Sequence, residues 1–276
     1  MALLEVAPGI SLFYRDFCKA AEPRRAETLV FVASQSMPSE IWNYNLPFFT
    51  DRGMRCIVFD RRGHGRSDAP STGYDIDTLA RDLGCVLERL ELSDVTLVGH
   101  SLGGAEVVRY LSRYAEPGRV RRAVLIAAML PCIQAGPDYP QGFDADAIDA
   151  VQAAWRTDFA RWIEDNKRGF FAPETSSALV DWGARLMEGM PLYVQLEISR
   201  ASATLDLRAD LAEIDTPALI LHGDLDRSVP VGFGVHLAAL LPNARLIRYP
   251  EGAHGVFITH AQQVHREMLE FIQNSR

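Results

Sequence analysis

Cysteine is scarce: four residues in 276, none in a CxxC or CxxH spacing, leave nothing from which to build a zinc knot or a disulfide framework. A chain of this length needs neither, because folding hides roughly three quarters of its unfolded surface. Cys56 falls in a strand-like run and Cys85 in a helix-like one, and with Cys18 and Cys132 they read as structural reduced thiols. Positive charge is also short, with 28 Lys and Arg against 36 Asp and Glu and a formal net charge of −8. The basic pairs Arg24-Arg25, Arg61-Arg62 and Arg121-Arg122 are too brief and scattered to form a stripe, which argues against a nucleic-acid partner. No apolar run approaches the ~20 residues of a membrane span. The amino-terminal stretch meets Glu5 and Pro8 before a signal-length run can form, so the expected compartment is the cytoplasm. There is no repeat and no low-complexity tract. Walker A spacing is missing, the glycines at 99–104 lack the GxGxxG spacing with its acidic ribose ligand, and no metal-ligating cluster stands out; we expect no metal and no cofactor.

What the chain has is alternation. Short apolar runs, several β-branched, alternate with amphipathic stretches, the pattern of a mostly parallel sheet with helices on both faces. The strand candidates are Leu3–Val6, Ser11–Asp16, Thr28–Ala33, Met54–Asp60, Val95–Gly99, Ala123–Ala127, Pro217–His222 and Arg245–Tyr249. This predicts an α/β fold with an eight-stranded sheet. Helical faces are clear at Leu79, Leu83, Val86, Leu87 and Leu90, and again at Val264, Met268, Leu269 and Ile272.

The alternation stops between about Asp138 and Asp206, where three helical patterns at about 145–168, 175–188 and 190–203 replace strands. We read residues 1–137 and 207–276 as a core domain and 138–206 as a helical cap insertion. The insertion carries an apolar stripe, Trp155, Phe159, Trp162, Phe170, Phe171, Trp182, Met187, Met190, Tyr193 and Leu196. Most such residues build a small helical core; the remainder line an apolar pocket. Trp155, Phe159, Trp162, Trp182, Met187 and Tyr193 are the pocket candidates, with Ser34 from the main body.

The stretch Gly99-His100-Ser101-Leu102-Gly103 lies between a strand pattern and a helix pattern. A serine there is presented on a turn so sharp that only glycine fits on either side, while Gly104 lets the helix approach the sheet. The turn leaves the hydroxyl at the carboxyl end of a strand, where open α/β sheets bind ligands. A serine needs a neutral imidazole to take its proton, and in this arrangement the order along the chain is serine, acid, histidine. Of seven histidines, His254 alone lies in a loop beyond the last strand, in PEGAHGVF. The acid is Asp224 or Asp226, both in LHGDLDRSVP. Because the imidazole must be neutral, activity should fall on acidification.

Nearly the whole chain resembles the α/β-hydrolase family, and most of all its bacterial aryl esterases and cofactor-free haloperoxidases. The resemblance rests on FDRRGHGRSD (59–68), GHSLGG (99–104), PDYPQG (137–142), HGDLDRSVP (222–230) and GAHGVFITHAQQV (252–264). It implies the α/β-hydrolase fold and makes Asp226, the second Asp of the GDxD pattern, the acid beside Ser101 and His254, with Asp224 fixing the loop. It also implies an oxyanion hole from the backbone amides of Leu102 and Gln35. Related esterases carry His-Gly where this chain has Ala33-Ser34, so a left-handed residue there would be costly without glycine. The Gln35 side chain either enters the pocket as an added donor or faces solvent. Asp60, Arg61, Arg62 and His64 read as loop organisers, His100 as packing behind the serine turn, and Trp42 as an anchor for its helix.

Such a site fits a serine hydrolase that cleaves a small carboxylic ester, aryl or alkyl, or a lactone, through an acyl-enzyme. The alternative keeps the triad and changes the acceptor, hydrogen peroxide giving a peracid that oxidises halide, or changes the bond to carbon–carbon. A cofactor-free oxygenase and a non-catalytic small-ligand receptor rank below these. The expected partner is a small ester-like molecule, with no nucleic acid and no membrane; homo-oligomerisation is left open.

Overall fold

All eight apolar runs form strands of one sheet. The computed structural model describes residues 2–23 and 26–274, so the pair Arg24-Arg25 lies outside the described residues. The strands are β1 (Leu3–Ala7), β2 (Ile10–Phe17), β3 (Thr28–Val32), β4 (Arg55–Phe59), β5 (Val95–His100), β6 (Val120–Ile126), β7 (Ala218–Gly223) and β8 (Ala244–Tyr249). Their order is β1-β2-β4-β3-β5-β6-β7-β8. β2 pairs antiparallel with β1 and β4, and the remaining pairings are parallel. From β3 the chain runs outward to β4, then returns to β5 on the other side. The crevice at this reversal opens beyond the carboxyl ends of β3 and β5.

Alternate strand residues feed two different cores, as the two-residue period of a strand requires. Val30, Val32, Leu97, Ala123, Leu125 and Ile220 face one core, packed under helices Ile76–Arg89 and Leu102–Arg113. Leu29, Phe31, Val98, Val124, Ile126 and Leu219 face the other, under the 3₁₀ turn Ser39–Tyr44 and helix Ala261–Asn274. Every residue of β3, β5 and β7 is buried. The side chain of Asp75 accepts the Thr78 amide and so starts the first of these helices. Trp42 is 1% exposed, its ring 4.6 Å from Phe257 and 5.1 Å from Phe31, and it anchors the 3₁₀ turn. All four cysteines are free thiols, with Cys56 and Cys132 buried.

Between β6 and β7 the chain forms helices Ala145–Asn166, Ser177–Glu188 and Leu192–Ser202. The first is not the single rod that its apolar pattern predicts. Asp158 is extended (φ −160°, ψ 89°), and its Oδ1 accepts the Arg161 amide at 2.9 Å, so it caps a second helix inside the first. The stretch leaves and rejoins the sheet at a narrow neck. There Leu207 N–H donates to the Pro131 carbonyl at 2.8 Å and Ile133 N–H to that of Leu205 at 2.9 Å. The neck lies a few residues before Asp138, where the pattern changes. Among the described residues no helix is long and apolar enough to cross a membrane.

Candidate active site

Ser101 has φ 54° and ψ −120°, a conformation that a side chain adopts only when its surroundings force it. Here the forcing is close packing of strand against helix. A Cβ on Gly99 would stand 2.6 Å from the Gly103 carbonyl oxygen, and one on Gly103 would stand 2.5 Å from that of Ala33. Gly104 similarly brings the helix onto Ala128. Ser101 N–H donates to Ile126, while its carbonyl accepts from Gly104 and Met129. The side chain, in a residue 3% exposed, stands at the amino end of helix Leu102–Arg113, where the backbone dipole favours a developing negative charge.

The other two predicted members approach from neighbouring loops. Asp226, after β7, accepts the Nδ1–H of His254 on Oδ2 at 2.8 Å, which leaves Nε2 as the basic nitrogen. Its Oδ1 accepts the backbone amides of Ser228 and Val229, each at 2.8 Å. Burial would raise this carboxyl, but the charge of His254 and hydrogen bonds from His222, His254 and Val229 outweigh it and hold Asp226 well below the usual carboxylate range. Asp224 points elsewhere and pairs with Arg248 at 2.8 Å. Gly223 lets the two loops meet, because a Cβ there would strike the Gly252 backbone.

Two buried histidines support this pair. His100 Nε2–H donates to the His254 carbonyl at 3.1 Å, so the residue before the serine holds the loop of the base. Desolvation pushes His100 well below the ordinary histidine value and keeps it neutral. His222 donates from Nε2 to the Val229 carbonyl at 2.8 Å and lies 3.5 Å from Asp226 Oδ2. Sequence reasoning gave His222 no role. Its signal was a histidine ending a buried strand four residues before the acid.

The loop after β3 departs from expectation. Its left-handed residue is Ser36 (φ 67°), not the Ser34 that stands in place of glycine. Among the described residues, neither Gln35 N–H nor Leu102 N–H donates to another group, so both amides are free to serve an oxyanion. The Gln35 side chain donates from Nε2 to the main-chain carbonyl of Gln195, on helix Leu192–Ser202, at 3.3 Å.

Ser101 and His254 share a cavity of about 590 Å³ with Ser34, Gln35, Trp155, Trp162 and Met187. Three pocket candidates are elsewhere. Phe159 stacks behind Trp162, Trp182 packs edge-on against Tyr44, and Tyr193 is 45% exposed with its hydroxyl on the Ala69 carbonyl. The wall also includes Met37, Ile133, Phe143, Ile163, Phe170 and Gln195, none of them singled out as pocket residues by pattern. Phe170 carried a signal in the aromatic stripe. It sits edge-on to His254 at 5.4 Å, and its carbonyl accepts the Gly255 amide at 2.6 Å. A larger hollow of about 1200 Å³, lined by Thr28, Arg55, Asp94 and Arg121 among others, lies at the amino ends of the strands and contains no candidate site residue.

The 60–66 turn is organised by its own charges, as expected. Asp60 accepts the amides of Ser39 and Arg66, Arg62 grips Asp82 through two contacts of 2.6 Å, and His64 bonds the Arg62 carbonyl at 2.9 Å. Arg61 meets Glu106 at 3.3 Å with both side chains buried, and burial pushes Glu106 up to about 8.

The profile of the α/β-hydrolase fold matches residues 30–261. A non-heme chloroperoxidase of Streptomyces lividans is 35% identical over 282 residues, covering 99% of this chain and 100% of its own. A bifunctional esterase/perhydrolase of Acinetobacter calcoaceticus is 32% identical, again covering 99% and 100%. The crystal structure of a bromoperoxidase from Bacillus anthracis superposes with a TM-score of 0.92 at 30% identity, over 99% of each chain. Strand order, the tight glycine-flanked serine turn and whole-length similarity agree: the chain belongs to the α/β-hydrolase family.

Proposed function

We propose that this protein is a cofactor-free serine acyl-transfer enzyme of the perhydrolase type, which takes the acyl group of a small carboxylic ester and passes it to hydrogen peroxide or water. The observation that carries the reading is the His254 Nδ1 to Asp226 Oδ2 contact of 2.8 Å at the cavity that Ser101 enters from its strained turn. Peroxide stands beside water because the relatives similar over the full length bear the names chloroperoxidase and esterase/perhydrolase.

In the first half-reaction Ser101 Oγ attacks the ester carbonyl carbon while its proton passes to His254 Nε2. Asp226 holds the tautomer and stabilises the imidazolium. The Leu102 and Gln35 amides receive the oxyanion. Collapse breaks the acyl–oxygen bond, and His254 protonates the departing alcohol. In the second, His254 takes a proton from water or hydrogen peroxide as its oxygen attacks the acyl carbon. The second collapse returns the proton to Ser101 and releases an acid or a peracid. The peracid oxidises halide to hypohalous acid and becomes the carboxylic acid, a step that needs nothing from the protein.

The test is bromination of monochlorodimedone in acetate buffer with bromide and hydrogen peroxide, run beside hydrolysis of p-nitrophenyl acetate. Both activities are expected, and both should vanish in Ser101→Ala. Ester hydrolysis without bromination would overturn the peroxide acceptor. Bromination that survives Ser101→Ala would overturn the acyl-enzyme.

A further inference from the structure

Gln195 is 2% exposed and lines the cavity, and its carboxamide is half used. Ser36 Oγ–H donates to its Oε1 at 2.6 Å, and Gln35 Nε2 donates to its main-chain carbonyl at 3.3 Å. Helix Leu192–Ser202 is thereby tied at two points to the loop that holds the oxyanion amide. Nothing among the described residues accepts from Gln195 Nε2. With its oxygen already engaged, the carboxamide of this buried glutamine has its nitrogen left over, in a cavity wall where Met37, Ile133, Trp155, Ile163 and Met187 stand beside polar residues such as Ser199, Ser202 and Arg227. Gln195 Nε2 is not among the fully buried polar atoms that lack a partner, so it keeps an accessible face, and a ligand oxygen in the cavity can accept from it.

We propose that Gln195 is a specificity-determining residue whose side-chain amide donates to a second oxygen on the acyl part of the substrate, a carbonyl or carboxylate a few bonds from the scissile carbonyl. The inference rests on the acyl-transfer reading above and narrows its substrate class from simple alkyl or aryl esters to oxo- or carboxy-substituted acyl groups. The placement follows from the clip. Gln35 supplies an oxyanion amide and its side chain touches Gln195, so the free donor lies beside the scissile group rather than at the far end of the cavity. Ser36, left-handed at φ 67°, is held by the same glutamine, which sets donor and oxyanion loop in one register.

The experiment compares p-nitrophenyl esters of 4-oxopentanoate and 5-oxohexanoate with those of 4-methylpentanoate and 5-methylhexanoate, in which a methyl group replaces the oxo oxygen. A succinate half-ester forms the carboxylate arm. In wild type at least one oxygen-bearing ester should exceed its methyl or alkyl counterpart in kcat/KM by about tenfold, the effect of one buried hydrogen bond. Gln195→Leu should bring that ratio to about one. Gln195→Glu keeps an acceptor for Ser36 but presents oxygen instead of N–H, and should drop the ratio below one for the succinate arm. The same pairs, as methyl esters, are compared by thermal shift on Ser101→Ala protein, which needs no turnover; the oxygen-bearing ligand should raise Tm more, and the difference should vanish with Gln195→Leu added. Equal ratios in wild type, or a preference that survives Gln195→Leu, would overturn the assignment. Ester hydrolysis that persists in Ser101→Ala would instead overturn the acyl-transfer reading, so the two failures are distinct.

Discussion

At the carboxyl edge of the sheet, a single added carbon on Gly99, Gly103 or Gly223 would strike backbone atoms. Within the helices between β6 and β7, Gly169 has nothing within 4 Å, and a Cβ on Gly183 would meet the Phe171 ring at 2.6 Å, a side chain rather than backbone. The two regions face each other across one cavity, yet they are held by different physics. Backbone against backbone sets the first, where no neighbour can give way. Side-chain packing sets the second, where one apolar residue can stand in for another of similar size. The proposed triad sits on the rigid side, and much of the pocket wall on the adaptable one.

The difference is sharpest if the rigid side is broken at the proposed triad. His254→Ala or Asp226→Asn should lower kcat on the order of 10⁴-fold with little change in Tm, measured by steady-state hydrolysis and thermal melts. Next comes the scaffold that shapes the turn. Gly103→Ala places a methyl against the Ala33 and Val32 carbonyls at 2.5 and 2.6 Å, and should destabilise the protein by about 2–3 kcal/mol in urea unfolding. A loss below ~0.5 kcal/mol would mean that this edge is softer than the packing indicates. On the adaptable side, Trp162→Ala and Met187→Ala should change the preference between short and long acyl esters by about tenfold, while Trp182→Ala, behind the wall, should leave it within about twofold.

The smallest effect is acid sensitivity. Burial, aided by Arg61, lowers His64 to about 3, and burial, aided by Arg52, lowers His265 to about 4. The unfolded chain takes these protons near ~6.5, so the folded state binds fewer. Stability is therefore full above that pH and is lost as pH falls from ~6.5 toward 4. Tm should decline by a few degrees between pH 7 and 4.5, and His265→Leu should make the decline shallower. The stretch 138–206 contains no histidine. Hydrogen exchange should accordingly rise in helix Ala261–Asn274 before it rises in helix Ser177–Glu188.

The same contrast governs what could be read from residues. Strand positions were legible because β-branched runs buried on both faces have no other stable home, and each of the eight matches a strand within a few residues. Ser101 and His254 could be picked out as candidates from a glycine-flanked turn and a glycine-flanked loop, whereas the choice of Asp226 over Asp224 came from the family resemblance alone. The pocket was not, since lining a cavity and filling a core call for the same side chains: Phe159 and Trp162 lie on one apolar stripe, but only Trp162 reaches the cavity. Helical periodicity runs unbroken through Asp158, so the break there was hidden, although an aspartate three residues before Arg161 is a capping signal. Gln195 looks like an ordinary helix residue in sequence. Its meaning comes from Ser36 and Gln35, some 160 positions earlier.

The central claim is that the rigid edge presents an activated serine. Intact-mass analysis after treatment with a fluorophosphonate, on wild type, Ser101→Ala and His254→Ala, tests it directly. The account predicts rapid addition of one phosphonyl group to wild type and none to either variant over the same interval. A folded wild type that stays unlabelled, or a Ser101→Ala protein that labels as fast, would contradict it.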